Sequence, residues 1–198
     1  MPRMSISPFM PRRKKTVKII KWGMKMNEVK IPEQFILSPF LKEDEKLPIC
    51  KDIDFTEAIK INPLIFDLYD KLQIEDLKPW EEKHHYIPII LESWKSTEPV
   101  IASLFENRDR EKALEPMKNM VLLFLMFLFW LNDRPVPALN GMNADLKDLK
   151  IKPVNVGERL DYILSIPNHY HAFIQLQQLF IELNKKYAVV KKQDQASN

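Results

Sequence analysis

The stretch WEEKHHY places Glu81 three residues before His84 and Glu82 three before His85. On a helix this spacing stacks carboxylate and imidazole on one face. Glu-x-x-His is one part of the di-iron carboxylate pattern, which also needs a second such motif and two further glutamates on facing helices. No further Glu-x-x-His lies elsewhere in the chain, so the stretch is expected to be a solvated helix face. A denser segment, KPVNVGERLDYILSIPNHYHAF at residues 152–173, gathers two histidines, two tyrosines, a glutamate, an arginine and an aspartate. Its histidines, His169 and His171, are two residues apart, about 200° around a helix, and could share a metal only if the chain there were extended. There is no Gly-x-Ser-x-Gly elbow, phosphate loop, His-Glu-x-x-His or Cys-x-x-Cys. Cys50 is the one cysteine; as a nucleophile it would need a histidine beside it in space, and it is expected instead to be a small residue near the core edge. No catalytic residue, metal ligand or cofactor is assigned.

The elements around residues 152–173 account for most of its polar residues. Asn155 and Glu158 have the capping-box spacing for a helix over 156–165, and Pro167 opens another running to about Lys191. At 100° per residue, Ala172, Phe173, Leu176, Leu179, Phe180, Leu183 and Tyr187 form an apolar face that includes His169, while His171, Gln175, Gln178, Glu182 and Lys185 fall opposite. Val156, Leu160, Ile163 and Leu164 bury the preceding helix. Left over for contact with a partner are Arg134, Arg159, Asp161, Tyr170 and His171, the candidate interaction surface.

Upstream, prolines punctuate the chain and suggest short helices that restart near each one, where the missing N–H does least harm. After an irregular lead-in, IPEQFILSPF, Asn62 can cap a helix from Pro63 to about Leu72. Lys78 to Trp94 reads as a helix broken or kinked at Pro88. Thr97 can cap a third, with Val100, Ile101, Leu104 and Phe105 on one side, and Asp109 a fourth that Pro116 kinks or delays. The fourth leads into MVLLFLMFLFWL, Met120 to Leu131. Twelve apolar residues make only about 18 Å of helix against a bilayer core of about 30 Å, so a buried core helix is expected. NDRPVPALNG stops it, and a short helical turn follows at 144–149. Strand signals are weak, and three glycines in 198 residues leave little material for tight hairpin turns. The expected class is all-α: a single-domain irregular helical bundle around a buried central helix, about 117–131, ending in a C-terminal helical hairpin.

With 45% apolar and 29% charged residues, the composition is that of a globular domain. One cysteine excludes an intrachain disulfide and suits a reducing compartment. Eight lysines and arginines and no acid lie in residues 1–25; against a net +3 for the chain this leaves −5 for the remainder. The folded body is therefore mildly acidic, and any case for nucleic acid rests on the extension. That extension has three readings: a basic amphipathic stripe for a membrane or phosphates, an organellar transit peptide, or an untranslated leader. Trp22 and Gly23 require the codons TGG and GG-, a G-rich run just upstream of the Met26 codon that resembles a bacterial ribosome-binding site. The expected layout is a leader or disordered extension over 1–25, one helical domain over 26–190, and a disordered tail over 191–198.

KPVNVGERLDYILSIPNHYHAFIQL, FLFWLNDRPVPALN and IPEQFILSPF together resemble the YpoC-like family of small uncharacterised proteins from Bacillus and related bacteria, from about Val29 to Tyr187. The resemblance implies a cytosolic helical protein without an assigned activity, whose genes often neighbour those for DNA replication, repair and cell-wall synthesis. It supplies no catalytic residues. The expectation is a small cytoplasmic, non-enzymatic protein–protein interaction module with an unidentified protein partner. The alternative is a nucleic-acid-associated protein, linked to replication or repair, that binds through the basic N-terminus.

Overall fold

A computed structural model describes residues 27–50 and 53–196; the extension over 1–25, with all three readings of it, lies outside the described residues. Among these residues are seven helices: α1 (Phe55–Ile61), α2 (Ile65–Lys71), α3 (Lys83–Glu106), α4 (Arg110–Trp130), α5 (Asn143–Asp148), α6 (Val156–Ser165) and α7 (Tyr170–Ala196). The one sheet among them pairs β1 (Glu28–Lys30) with β2 (Lys46–Pro48), antiparallel with Val29 opposite Leu47. The class is all-α, as expected.

α4 is the centre. Every residue from Met120 to Leu131 is buried, because a helix apolar on all faces finds enough partners only when surrounded. By length and composition alone α4 could cross a membrane, but its apolar window is mostly buried inside the protein. It packs against α3, α7 and a 3-10 turn at Pro79–Glu82. α6 and α7 form the expected C-terminal hairpin.

Polar groups fix the C-terminal end of α4. Asp67 on α2 accepts from Trp130 Nε1 at 2.9 Å and from the Val136 backbone N–H at 2.7 Å, both at Oδ1. Asn132 exchanges hydrogen bonds with the Ile151 backbone at 2.8 and 2.9 Å. The Gln34 carbonyl accepts from the Leu139 and Asn140 backbone N–H groups. The proline-rich loop is thus held by the N-terminal segment on one side and by α2 on the other.

Several boundaries depart from the sequence reading. Neither Pro88 nor Thr97 divides the third element, since α3 runs unbroken through Pro88 and Pro99. The two prolines are eleven residues apart, three turns, on one exposed stripe. The carbonyls they deprive of a donor, those of His84 and Lys95, therefore lie toward water, and the apolar face remains continuous. Val100 is exposed, off the face that Ile101 and Phe105 bury. α1 was not expected; Asp54 caps it through the Thr56 backbone N–H at 2.8 Å. Asn62 ends α1 and also accepts from the Leu64 backbone N–H, so α2 starts at Ile65. Asp109 occupies the cap position of α4 but turns its side chain to Lys112. The capping box before α6 does not form: Asn155 is left-handed at φ 52°, with no side-chain cap bond. α7 begins at Tyr170, because buried Pro167 and the two residues after it make the turn. It continues to Ala196, through the residues expected to be a disordered tail, since Asp194 is held against the start of α3.

Candidate functional site

The two longest described helices, α3 and α7, pack against each other from His84 and Asp194 at one end to Phe105 and Tyr170 at the other. Between them lies a cleft of about 450 Å³. Its floor is built from positions the helical period brings together: Leu91 and Trp94 on α3, Phe180 and Tyr187 on α7. The Trp94 and Phe180 rings stack at 4.2 Å and 9°, and two large rings flat against each other fill the space beneath the cleft. Ile181 stands on the α7 rim, 46% exposed. Pro88, Glu92, Lys95, Asn184 and Lys191 complete the walls.

Beside this cleft, around the first turn of α3, is a charged cluster. Lys83 Nζ pairs with Asp133 at 2.8 Å and Asp194 at 3.8 Å, its side chain only 14% exposed. His84 Nε2 meets Asp194 Oδ2 at 2.9 Å, and its ring lies 5.7 Å from that of Tyr187. Asp133 is left-handed at φ 58° just beyond α4, so the cluster joins the start of α3, the end of α4 and the last turns of α7. His84 Nδ1 and the Tyr187 hydroxyl are buried without a hydrogen-bond partner, and burial raises the Tyr187 pKa. A carboxylate-oriented imidazole is the shape of a general base. Here the carboxylate also serves Lys83, and no nucleophile stands beside the ring among the contacts of the described residues. Cys50 is elsewhere, its backbone N–H donated to the Tyr69 hydroxyl at 2.9 Å. Burial, then the Asp76 charge, push its thiol upward, opposite to what thiolate chemistry requires. The described residues contain no group of three or more His, Cys, Asp or Glu side chains able to hold a metal ion.

The residues singled out from sequence do not form one surface. Arg159 is an internal clamp: Nε donates to Gln175 Oε1 at 2.8 Å, one terminal nitrogen to Glu182 Oε1 at 2.8 Å and the other to the Gln175 carbonyl at 3.2 Å. Its side chain is 16% exposed. Asp161 is exposed and accepts from Asn143 Nδ2 at 3.4 Å. His171 lies edge-on to Tyr162 with ring centres 5.3 Å apart. Tyr170, 55% exposed, packs its ring edge on Phe105 at the far end of α3. Arg134 is exposed next to Asp133, at the near end, so about 30 Å of helix separates it from Tyr170. His169 is exposed too, not on the apolar face, because α7 has not begun there.

Sequence reading missed the cleft and the charged cluster. WEEKHHY was inspected for metal spacing along one helix, whereas the partner of His84 is 110 residues away.

A model of the YpoC-like protein family matches residues 84–195. The uncharacterised protein YpoC of Bacillus subtilis (strain 168) is 32% identical over 134 residues, covering 68% of this chain and 80% of that protein. The chain belongs to the YpoC-like family. No solved structure matches it. The YpoC-like match begins in the first turn of α3 and ends in the last turn of α7. Both walls of the cleft and the His84–Asp194 contact therefore fall within it.

Proposed function

We propose that this YpoC-like chain is a non-enzymatic protein–protein interaction module of the cytosol, and that its partner seats in the cleft between α3 and α7. The observation that carries this reading is an apolar surface between two long helices, with Ile181 exposed and Trp94 and Leu91 half-buried above the closed Trp94–Phe180 stack. An apolar strip between two helices is what an apolar helix face meets in a helix-in-groove complex. The charged cluster supports a scaffold more than a reaction. Lys83 pairs with both Asp133 and Asp194 and so ties three helix ends together. Tyr170 packs on α3, His171 on α6 and Asp161 beside α5, so they offer no comparable shared surface, and Arg134 stands apart at the other end of α3.

Co-purification from native cytosol tests the reading, using the wild-type chain and Ile181→Asp side by side. A stoichiometric protein recovered with wild type and lost with the variant, both showing the same helical circular dichroism, is the expected result. Equal recovery by the two, or recovery by neither, contradicts it.

A further inference from the structure

We infer that the partner presents an acidic amphipathic helix to the α3–α7 cleft; this rests on the interaction reading above and adds the chemistry of the occupant. The argument is one of charge. Lys185, Lys186, Lys191 and Lys192 line the second half of α7, and the ion pairs among the described residues include none of them. The last acid of α7, Asp194, is committed to His84 and Lys83. Across the cleft Lys95 has only Glu92, at 3.9 Å with both side chains largely in water, a pairing of little worth. Favourable interaction with the helix dipole reaches only the final turn of α7, and Lys185 and Lys186 stand well before it. Lys191 thus stands unpaired in the cleft wall with Lys185 and Lys192 on the adjoining solvent side of α7, Lys186 lying on the side away from α3, although residues 26–198 carry a net −5.

The dimensions agree with a helix. From Pro88 to Lys95 is two turns of α3 and from Phe180 to Lys191 three turns of α7, room for about two to three turns of ligand helix. Leucine-like residues at i, i+4 and i+7 would cover Trp94 and Ile181, while glutamates on the flanks would meet the lysines. A polyanion such as DNA could use the lysines but would leave the apolar lining, Trp94 and Ile181, unused.

Two fluorescein-labelled synthetic peptides test this by anisotropy against the full chain. Both carry leucine at i, i+4 and i+7; the flanks are glutamate in one and lysine in the other, and a single-stranded oligonucleotide is the third probe. The acidic peptide should bind roughly tenfold or more tighter than the basic one, with affinity falling as salt rises. Lys185→Glu with Lys191→Glu should reverse the preference, and Ile181→Asp should abolish binding. Equal or tighter binding of the basic peptide, tighter binding of the oligonucleotide, or no binding of either peptide overturns the acidic-helix assignment. If the co-purified protein is lost with Ile181→Asp but kept with the lysine reversals, only the acidic assignment fails. If peptide binding survives Ile181→Asp, the cleft itself is the wrong surface.

Discussion

Asp67 is the residue whose environment has the clearest energetic consequence. It is 1% exposed, Oδ1 takes two hydrogen bonds, and Oδ2 is buried with none. Desolvation is the largest influence and outweighs those bonds, raising the carboxyl pKa from 3.8 to about 7. The folded value lies above the unfolded one, so the folded protein holds more protons between about pH 4 and pH 7. Stability is then full below that window, falls as pH rises through it, and levels off above, a loss of about 4 kcal/mol from this group. Asp67→Asn keeps the acceptor for Trp130 and Val136 and removes the charge. The variant should be more stable than wild type by about 2 kcal/mol at pH 8, after the cost of an unpaired amide; urea titrations at pH 5 and pH 8 in which the difference does not change would contradict the account. Arg159 gives the opposite lesson. Arg159→Ala should cost about 2 kcal/mol by loosening α6 from α7, and Arg159→Lys should not restore it, since one ammonium cannot reach both Gln175 and Glu182 in the guanidinium's geometry. Denaturant midpoints decide between them. The charge of Arg159 was legible in sequence; its role was not, because its partners stand 16 and 23 residues further on.

At the scale of elements, α4 and the hairpin could be read directly, since an uninterrupted apolar run and a 3.6-residue stripe each have one economical packing. α3 could not. Proline reads as a boundary in sequence, yet at Pro88 and Pro99 the cost is limited by exposure, because the orphaned carbonyls face water. Pro99→Ala should therefore raise stability by about 1 kcal/mol, the restored hydrogen bond outweighing the greater freedom of the unfolded chain; a lower thermal midpoint would contradict this. The end of α7 was also illegible, because a lysine- and glutamine-rich tail has no apolar stripe and is held by a contact across the fold. His84→Ala should accelerate amide exchange in α7 beyond Tyr187 while leaving the protection of α4 unchanged. Unaltered exchange there would mean that the His84–Asp194 contact does not hold the helix end. α1, β1 and β2 are too short, three to seven residues, for a periodic pattern to declare them.

For the whole molecule, composition and the buried run were enough to specify an all-α bundle. The proposed surface depends on two helices that sequence places some ninety residues apart, Pro88 through Lys95 and Phe180 through Lys191. Only the fold brings them together, and no pattern along one helix announces the cleft. The unpaired lysines of α7 become meaningful only once their acidic neighbours are seen to be occupied elsewhere. The central claim is the location of the partner, and a hydrogen-exchange footprint of the chain with and without its co-purified partner tests it most directly. Protection concentrated over residues 88–95 and 180–191 is the predicted result. Protection confined to the α6–α7 turn around Tyr170, or to the loop carrying Arg134, with the cleft unchanged, would contradict it.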